Sequence, residues 1–135
     1  MIIKSMSVKT EKNKLTSLPI EEQEAIEEFK NRLVKILGDN LVLLKLYGSK
    51  ARGDWHKDSD IDLLAVLKHE PKASDWRNDP ISELEYQIME KYNFKVFPST
   101  ITYKYKEYQK DSRVKTPFLY WVNKEGIDLW NSKPT

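Results

Sequence analysis

The stretch that decides this protein is Leu46-Tyr47-Gly48-Ser49-Lys50-Ala51-Arg52-Gly53, followed after a short polar loop by Asp58-Ser59-Asp60-Ile61-Asp62-Leu63-Leu64. Two apolar runs, residues 41–47 and 61–67, carry these motifs and predict buried strands. Gly48 ends the first run, where a glycine lets the backbone turn sharply and approach a ligand closely. Ser49 supplies a hydroxyl, the residues after it predict one helical turn, and Lys50 and Arg52 add positive charge at the same end. Side chains alternate along a strand, so Asp60 and Asp62 share a face about 7 Å apart while Ile61 points into the opposite layer. Two carboxylates so placed repel each other unless a cation lies between them, and an oxygen-seeking ion such as Mg²⁺ suits the pair. A phosphate cradle beside a metal-binding pair is the arrangement that phosphoryl or nucleotidyl transfer requires.

Outward from this block the pattern alternates helix and strand. Ser17 is a candidate cap for a helix opening near Pro19, with Glu21, Glu22 and Glu24 in its first turn and Gly38 at its stop. Ala25, Ile26, Phe29, Leu33, Ile36 and Leu37 give that helix one apolar face. A second helix is expected between residues 74 and 92, regular from about Pro80. Residues 94–103 predict a third strand, which Pro98 assigns to an edge or a bulge. Short helices are expected around residues 104–110 and 118–124, and a last small strand at 127–130. The fold class is therefore α/β (α+β), a small mixed β-sheet flanked by helices. Residues 1–16, polar and lysine-rich, predict a flexible arm, and residues 17–135 a single domain.

Length and composition agree with one domain: 135 residues, 39% hydrophobic and 33% charged, hold too little for two secure cores. No run approaches the roughly 18 apolar residues of a membrane span, and residues 1–6 lack the features of a signal peptide. Zero cysteines exclude a disulfide framework, a thiolate metal site and a cysteine nucleophile, and the expected location is cytoplasmic.

With its ten-residue interval, the pattern Gly48-Ser49 … Asp60-x-Asp62 resembles the signature of the DNA polymerase β-like nucleotidyltransferase superfamily, most of all its minimal nucleotidyltransferases (MNT). The order helix, strand, Gly-Ser turn, D-x-D strand, helix, strand extends the likeness over residues 17–103. The resemblance implies that Gly48 and Ser49 hold the triphosphate of an NTP, with ATP the expected nucleotide. It implies that Asp60 and Asp62 bind two Mg²⁺ ions and are the catalytic pair. Lys50 and Arg52 then neutralise phosphate charge. The expected reaction moves an NMP, AMP from ATP, to a hydroxyl acceptor. Many such proteins act as the antitoxin of a HEPN-domain toxin, some by adenylylating a toxin tyrosine, so the resemblance implies a HEPN-type partner. One departure stands out. Active members commonly carry a third carboxylate on the strand after the D-x-D helix, whereas residues 93–103 contain no acid, Lys95 or Ser99 stands about where it is expected, and Glu107 is the nearest acid downstream. The departure keeps a second hypothesis open: a catalytically weak or inactive binding module of the same fold, acting through partner-protein or RNA binding.

Other features carry plainer expectations. Trp55 and His56, in the loop between the motif halves, are read as covering local apolar surface in preference to packing on a base, and His69 as a surface residue. Residues 91–115 interleave aromatics with seven basic side chains; core aromatics with solvated lysines are preferred there over single-stranded nucleic-acid binding. Phe118, Tyr120, Trp121, Leu129 and Trp130 are expected to close the core, and any left unburied to form a protein-binding patch. The net charge of +2 sums an acidic block at residues 54–62 and the basic strip at 91–115, expected to face each other.

Overall fold

The computed structural model describes residues 15–69 and 79–132. The expectations for residues 1–14 and for the start of the second helix, residues 74–78, lie outside the described residues. Helix α1 (Ile20–Leu37) starts after Pro19 without a side-chain cap, so Ser17 does not cap it; Gln23 Nε2 instead donates to the Leu18 carbonyl at 2.8 Å. After a 3₁₀ turn at Gly38–Asn40 come strand β1 (Leu41–Tyr47), the one-turn helix α2 (Ser49–Arg52) and strand β2 (Ile61–Leu67). Helix α3 (Pro80–Lys91) is capped by Asp79, whose carboxylate accepts from the Ile81 N–H at 3.1 Å. Strand β3 (Pro98–Lys104), helices α4 (Tyr105–Arg113) and α5 (Pro117–Glu125) and strand β4 (Ile127–Asn131) complete the described chain. Strand β3 begins later than the aromatic run suggested, because Asn93 and Phe94 adopt positive φ and the Phe94 N–H closes back on the Met89 carbonyl at 2.7 Å.

The four strands lie in the order β3-β2-β1-β4. β1 is antiparallel to both β2 and β4, while β3 runs parallel to β2 at the edge that Pro98 required. The helix-rich side holds the larger core, where Ala25, Ile26, Phe29 and Leu33 of α1 and Ile81, Leu84 and Ile88 of α3 cover Leu44, Leu46, Leu63 and Ala65. Removing a side chain such as Phe29 from water stabilises the fold by roughly 1.5–3 kcal/mol. The opposite face packs Leu43, Leu64 and Val66 under Tyr108 of α4 and Leu119 and Val122 of α5. These two helices cover only part of that face, leaving Ser99 and Ile101 of β3 exposed. Gly126 fits between α5 and β4 because a Cβ there would stand 2.4 Å from the Val122 carbonyl oxygen.

Candidate functional site

The partly covered face holds the candidate site. Tyr47, the last residue of β1, pairs with Asp62, the second residue of β2, so the end of one motif meets the start of the other. At Gly48 the chain turns with φ +77°, and a Cβ at that position would lie 2.6 Å from Asp62 Oδ2. Any side chain would therefore collide with the carboxylate, and glycine alone combines this backbone angle with this approach. The carbonyl of Gly48 accepts from the N–H groups of Ala51 and Arg52 at 3.1 and 3.0 Å, which builds α2 directly on the strand end. Ser49 opens that turn.

Asp60 is exposed and Asp62 half-buried, and neither has a hydrogen-bond or ion-pair partner among the described residues. Burial raises the Asp62 carboxyl above its ordinary value, the neighbouring Asp60 charge raises it further, and Arg52 pulls it partly back. The same Asp62 charge, added to burial, pushes the Tyr47 phenol upward. A half-buried carboxylate beside a second one, offset only in part by the Arg52 charge, is a donor set that fits a hard divalent cation. Among the described residues no group of three or more acidic, histidine or cysteine side chains converges on a metal position.

The two cations of the motif go separate ways. Lys50 is only 1% exposed; its ammonium donates to Glu22 Oε1 of α1 at 2.7 Å and lies 4.4 Å from the centre of the Trp55 ring. The expectation that Lys50 neutralises phosphate is therefore corrected, since its charge faces the opposite layer and is already paired. Arg52 stays at the surface, beside Asp54 at 3.3 Å and Glu125 of α5 at 3.6 Å. It lines a groove together with Tyr47, Gly48, Phe118, Trp121 and Glu125.

Trp55 packs against the larger core, and His56 is exposed, its backbone N–H held by Ser59 Oγ at 2.8 Å. His69 is exposed too, its backbone tied on both sides by the Asn40 side chain. Ser99 pairs with Asp62 across β2 and β3 and so stands on the carboxylate face, where it brings no charge. Glu107 sits on α4, beyond the far end of β3. The basic strip is divided by the strand within it. Exposed Lys95 precedes β3 at the Asp60 end, Lys104 pairs with Leu67 at the opposite end, and Lys91 is engaged by Glu28 at 2.8 Å. It therefore does not confront the acidic block as a unit.

The aromatic residues of α5 take the exposed alternative to core closure. Leu129 is buried as expected and Trp130 half-buried, but Phe118, Tyr120 and Trp121 are exposed at 36, 40 and 52%. The signal was present, since apolar residues at five successive positions, 118–122, surround the helix, and a sheet can bury only one side of it.

The comparisons with known proteins agree with this geometry. Two curated relatives from Methanocaldococcus jannaschii are similar to the chain. One, named "Putative protein adenylyltransferase MJ0141", is 32% identical over 78% of this chain and 96% of its own length. The other, "Putative protein adenylyltransferase MJ1305", is 30% identical over 54% of this chain and half of its own length. Two solved structures share the fold: a toxin-antitoxin with AMP-PNP, at TM-score 0.50 and 22% identity, and a mutant of the toxin-antitoxin MntA-HpeT, at TM-score 0.52 and 19% identity. Each alignment covers 78% of this chain and 73% of the other. The nucleotidyltransferase domain family matches residues 22–119, which run from α1 through the Gly-Ser turn and the aspartate strand to α5. The chain belongs to that family and is a nucleotidyltransferase.

Proposed function

We propose that this nucleotidyltransferase moves AMP from ATP to a hydroxyl on a partner protein, a HEPN-type toxin, and so serves as its antitoxin. The observation that carries the reading is the Asp60–Asp62 pair, which has no hydrogen-bond or ion-pair partner among the described residues and lies against a glycine turn of positive φ. A relative named for protein adenylyl transfer and fold neighbours from toxin–antitoxin complexes support the choice of nucleotide and partner.

Gly48 and Ser49 receive the triphosphate where β1 ends, and Arg52, the exposed cation of the turn, faces its charge. Asp60 and Asp62 would hold Mg²⁺, which supplies positive charge to the phosphate oxygens when bound. The acceptor oxygen forms a bond to the α-phosphorus as the bond to pyrophosphate breaks. The chain's part is chiefly positioning and charge placement, as in phosphoryl transfer generally. A second reading, the non-catalytic binding module, is favoured by one observation: Ser99, not an acid, stands beside Asp62 on β3.

Incubating the protein with α-labelled ATP, Mg²⁺ and a HEPN-type protein as candidate partner separates the two. Label on the partner, lost in the double variant Asp60→Ala with Asp62→Ala, supports transfer. Tight partner binding with no label under any nucleotide or divalent metal makes the chain a binding module.

A further inference from the structure

The groove between α5 and the Gly48 turn encloses about 380 Å³ and has two unlike ends. At one end stand Gly48, Arg52 and Glu125, polar and next to Asp62. At the other stand Phe118 and Trp121, large rings left open to water. Phe118 is fixed on both sides, edge-on to Tyr47 at 5.4 Å and stacked on Tyr103 at 6.3 Å, so its position is set before any ligand arrives. Trp121 is steadied by Tyr120, edge-on at 5.1 Å, and by the Lys124 ammonium 5.5 Å from its ring.

From these features we infer that the aromatic end of the groove is the nucleobase site, with Trp121 holding the base by its ring face beside the fixed edge of Phe118. This rests on the proposed nucleotidyl transfer and adds to it how the base is chosen. Phe118 and Glu125 are seven residues apart on one helix, about 10 Å at the rise of an α-helix. That separation is close to the reach of an extended nucleoside triphosphate from its base to its β-phosphate, so a nucleotide with its phosphates at Gly48 and Arg52 brings its base to the rings. The side chains lining the aromatic end are mainly apolar, Pro117, Phe118 and Val122, with the Trp121 indole N–H and the Tyr47 phenol as the polar groups among them. Selection therefore follows stacking area, which every base provides and purines provide more of. ATP and GTP bind similarly, and CTP and UTP bind more weakly.

Titration calorimetry with Mg²⁺ and either a non-hydrolysable ATP analogue or inorganic tripolyphosphate tests this. Trp121→Ala is expected to weaken the ATP analogue about tenfold and leave tripolyphosphate unchanged. Because Trp121 is half exposed, its replacement leaves the core intact, and Trp121→Phe, which keeps a ring, restores most of the affinity. Unchanged ATP affinity in Trp121→Ala overturns the inference, as does equal weakening of ATP and tripolyphosphate. Loss of partner binding with ATP affinity intact overturns it as well and assigns the rings to the partner. These failures leave nucleotide binding in place, whereas a wild-type protein that binds neither compound removes the proposed function itself.

Discussion

Asp62, placed in the proposed metal pair, carries a cost in stability. Its carboxyl is raised by burial and by Asp60, so the folded state binds its proton more readily than the unfolded chain does. For an acid with that direction of shift, the unfolded state gives up the proton at lower pH. Stability is therefore lost as pH rises from the ordinary carboxylate value of 3.8 through the raised one, and regained as pH falls. Asp62→Asn is accordingly expected to raise the melting temperature at neutral pH while abolishing transfer, with the gain shrinking as pH is lowered toward the ordinary value. Thermal scans of both proteins over a pH series measure that difference; a variant no more stable than wild type at pH 7 contradicts it. Transfer by the wild type falls over the same acid range, because a protonated Asp62 no longer ligates a cation. The residues of this site were legible in the sequence because strand alternation alone puts Asp60 and Asp62 on one face. The shift on Asp62 was not, since it depends on how much of the sheet α4 and α5 leave uncovered.

Among the elements, the four-residue α2 is tied to α1 by a buried ion pair. Its Lys50 reaches across to Glu22 of α1, and Trp55 closes over the ammonium. Removing one partner of a buried ion pair strands the other charge, so Lys50→Ala is expected to cost about 3 kcal/mol or more. Replacing both with apolar residues of similar volume, Lys50→Met with Glu22→Leu, recovers most of that loss, because the desolvation cost of both ions disappears together. Urea denaturation of the two singles and the double measures the coupling. If the double is as unstable as the single, the pair is not what holds α2 to α1. Sequence reasoning put Lys50 and Arg52 at one phosphate end, but residues two apart on a helical turn face different ways. Which of the two faced the core was decided by the packing of α1.

For the molecule as a whole, β3 is one of the two edges of the sheet, and an edge strand is a template for unwanted pairing. Glu85 of α3 guards it by accepting from the Thr100 N–H at 2.7 Å. Burial raises the Glu85 carboxyl while the Thr100 hydrogen bond opposes the shift. Glu85→Ala leaves that N–H without its acceptor and is expected to destabilise the fold by about 1–2 kcal/mol and to promote association, whereas Glu85→Gln keeps an acceptor oxygen and most of the stability. Denaturation and light scattering distinguish the outcomes, and an alanine variant as stable and monodisperse as wild type contradicts the assignment.

By itself the sequence determined the local framework of this nucleotidyltransferase: the strands, the Gly-Ser turn, the paired aspartates and the edge position of β3. Those features follow from periodicity, glycine geometry and the missing N–H of proline, all of which act within a few residues. Only the tertiary structure decided that Lys50 is a structural cation while Arg52 stays at the groove, and that the basic strip is split between opposite ends of the sheet. It also decided that Phe118 and Trp121 form an open wall. Each of these depends on which surfaces of distant segments meet, and a side chain's type does not specify what will cover it.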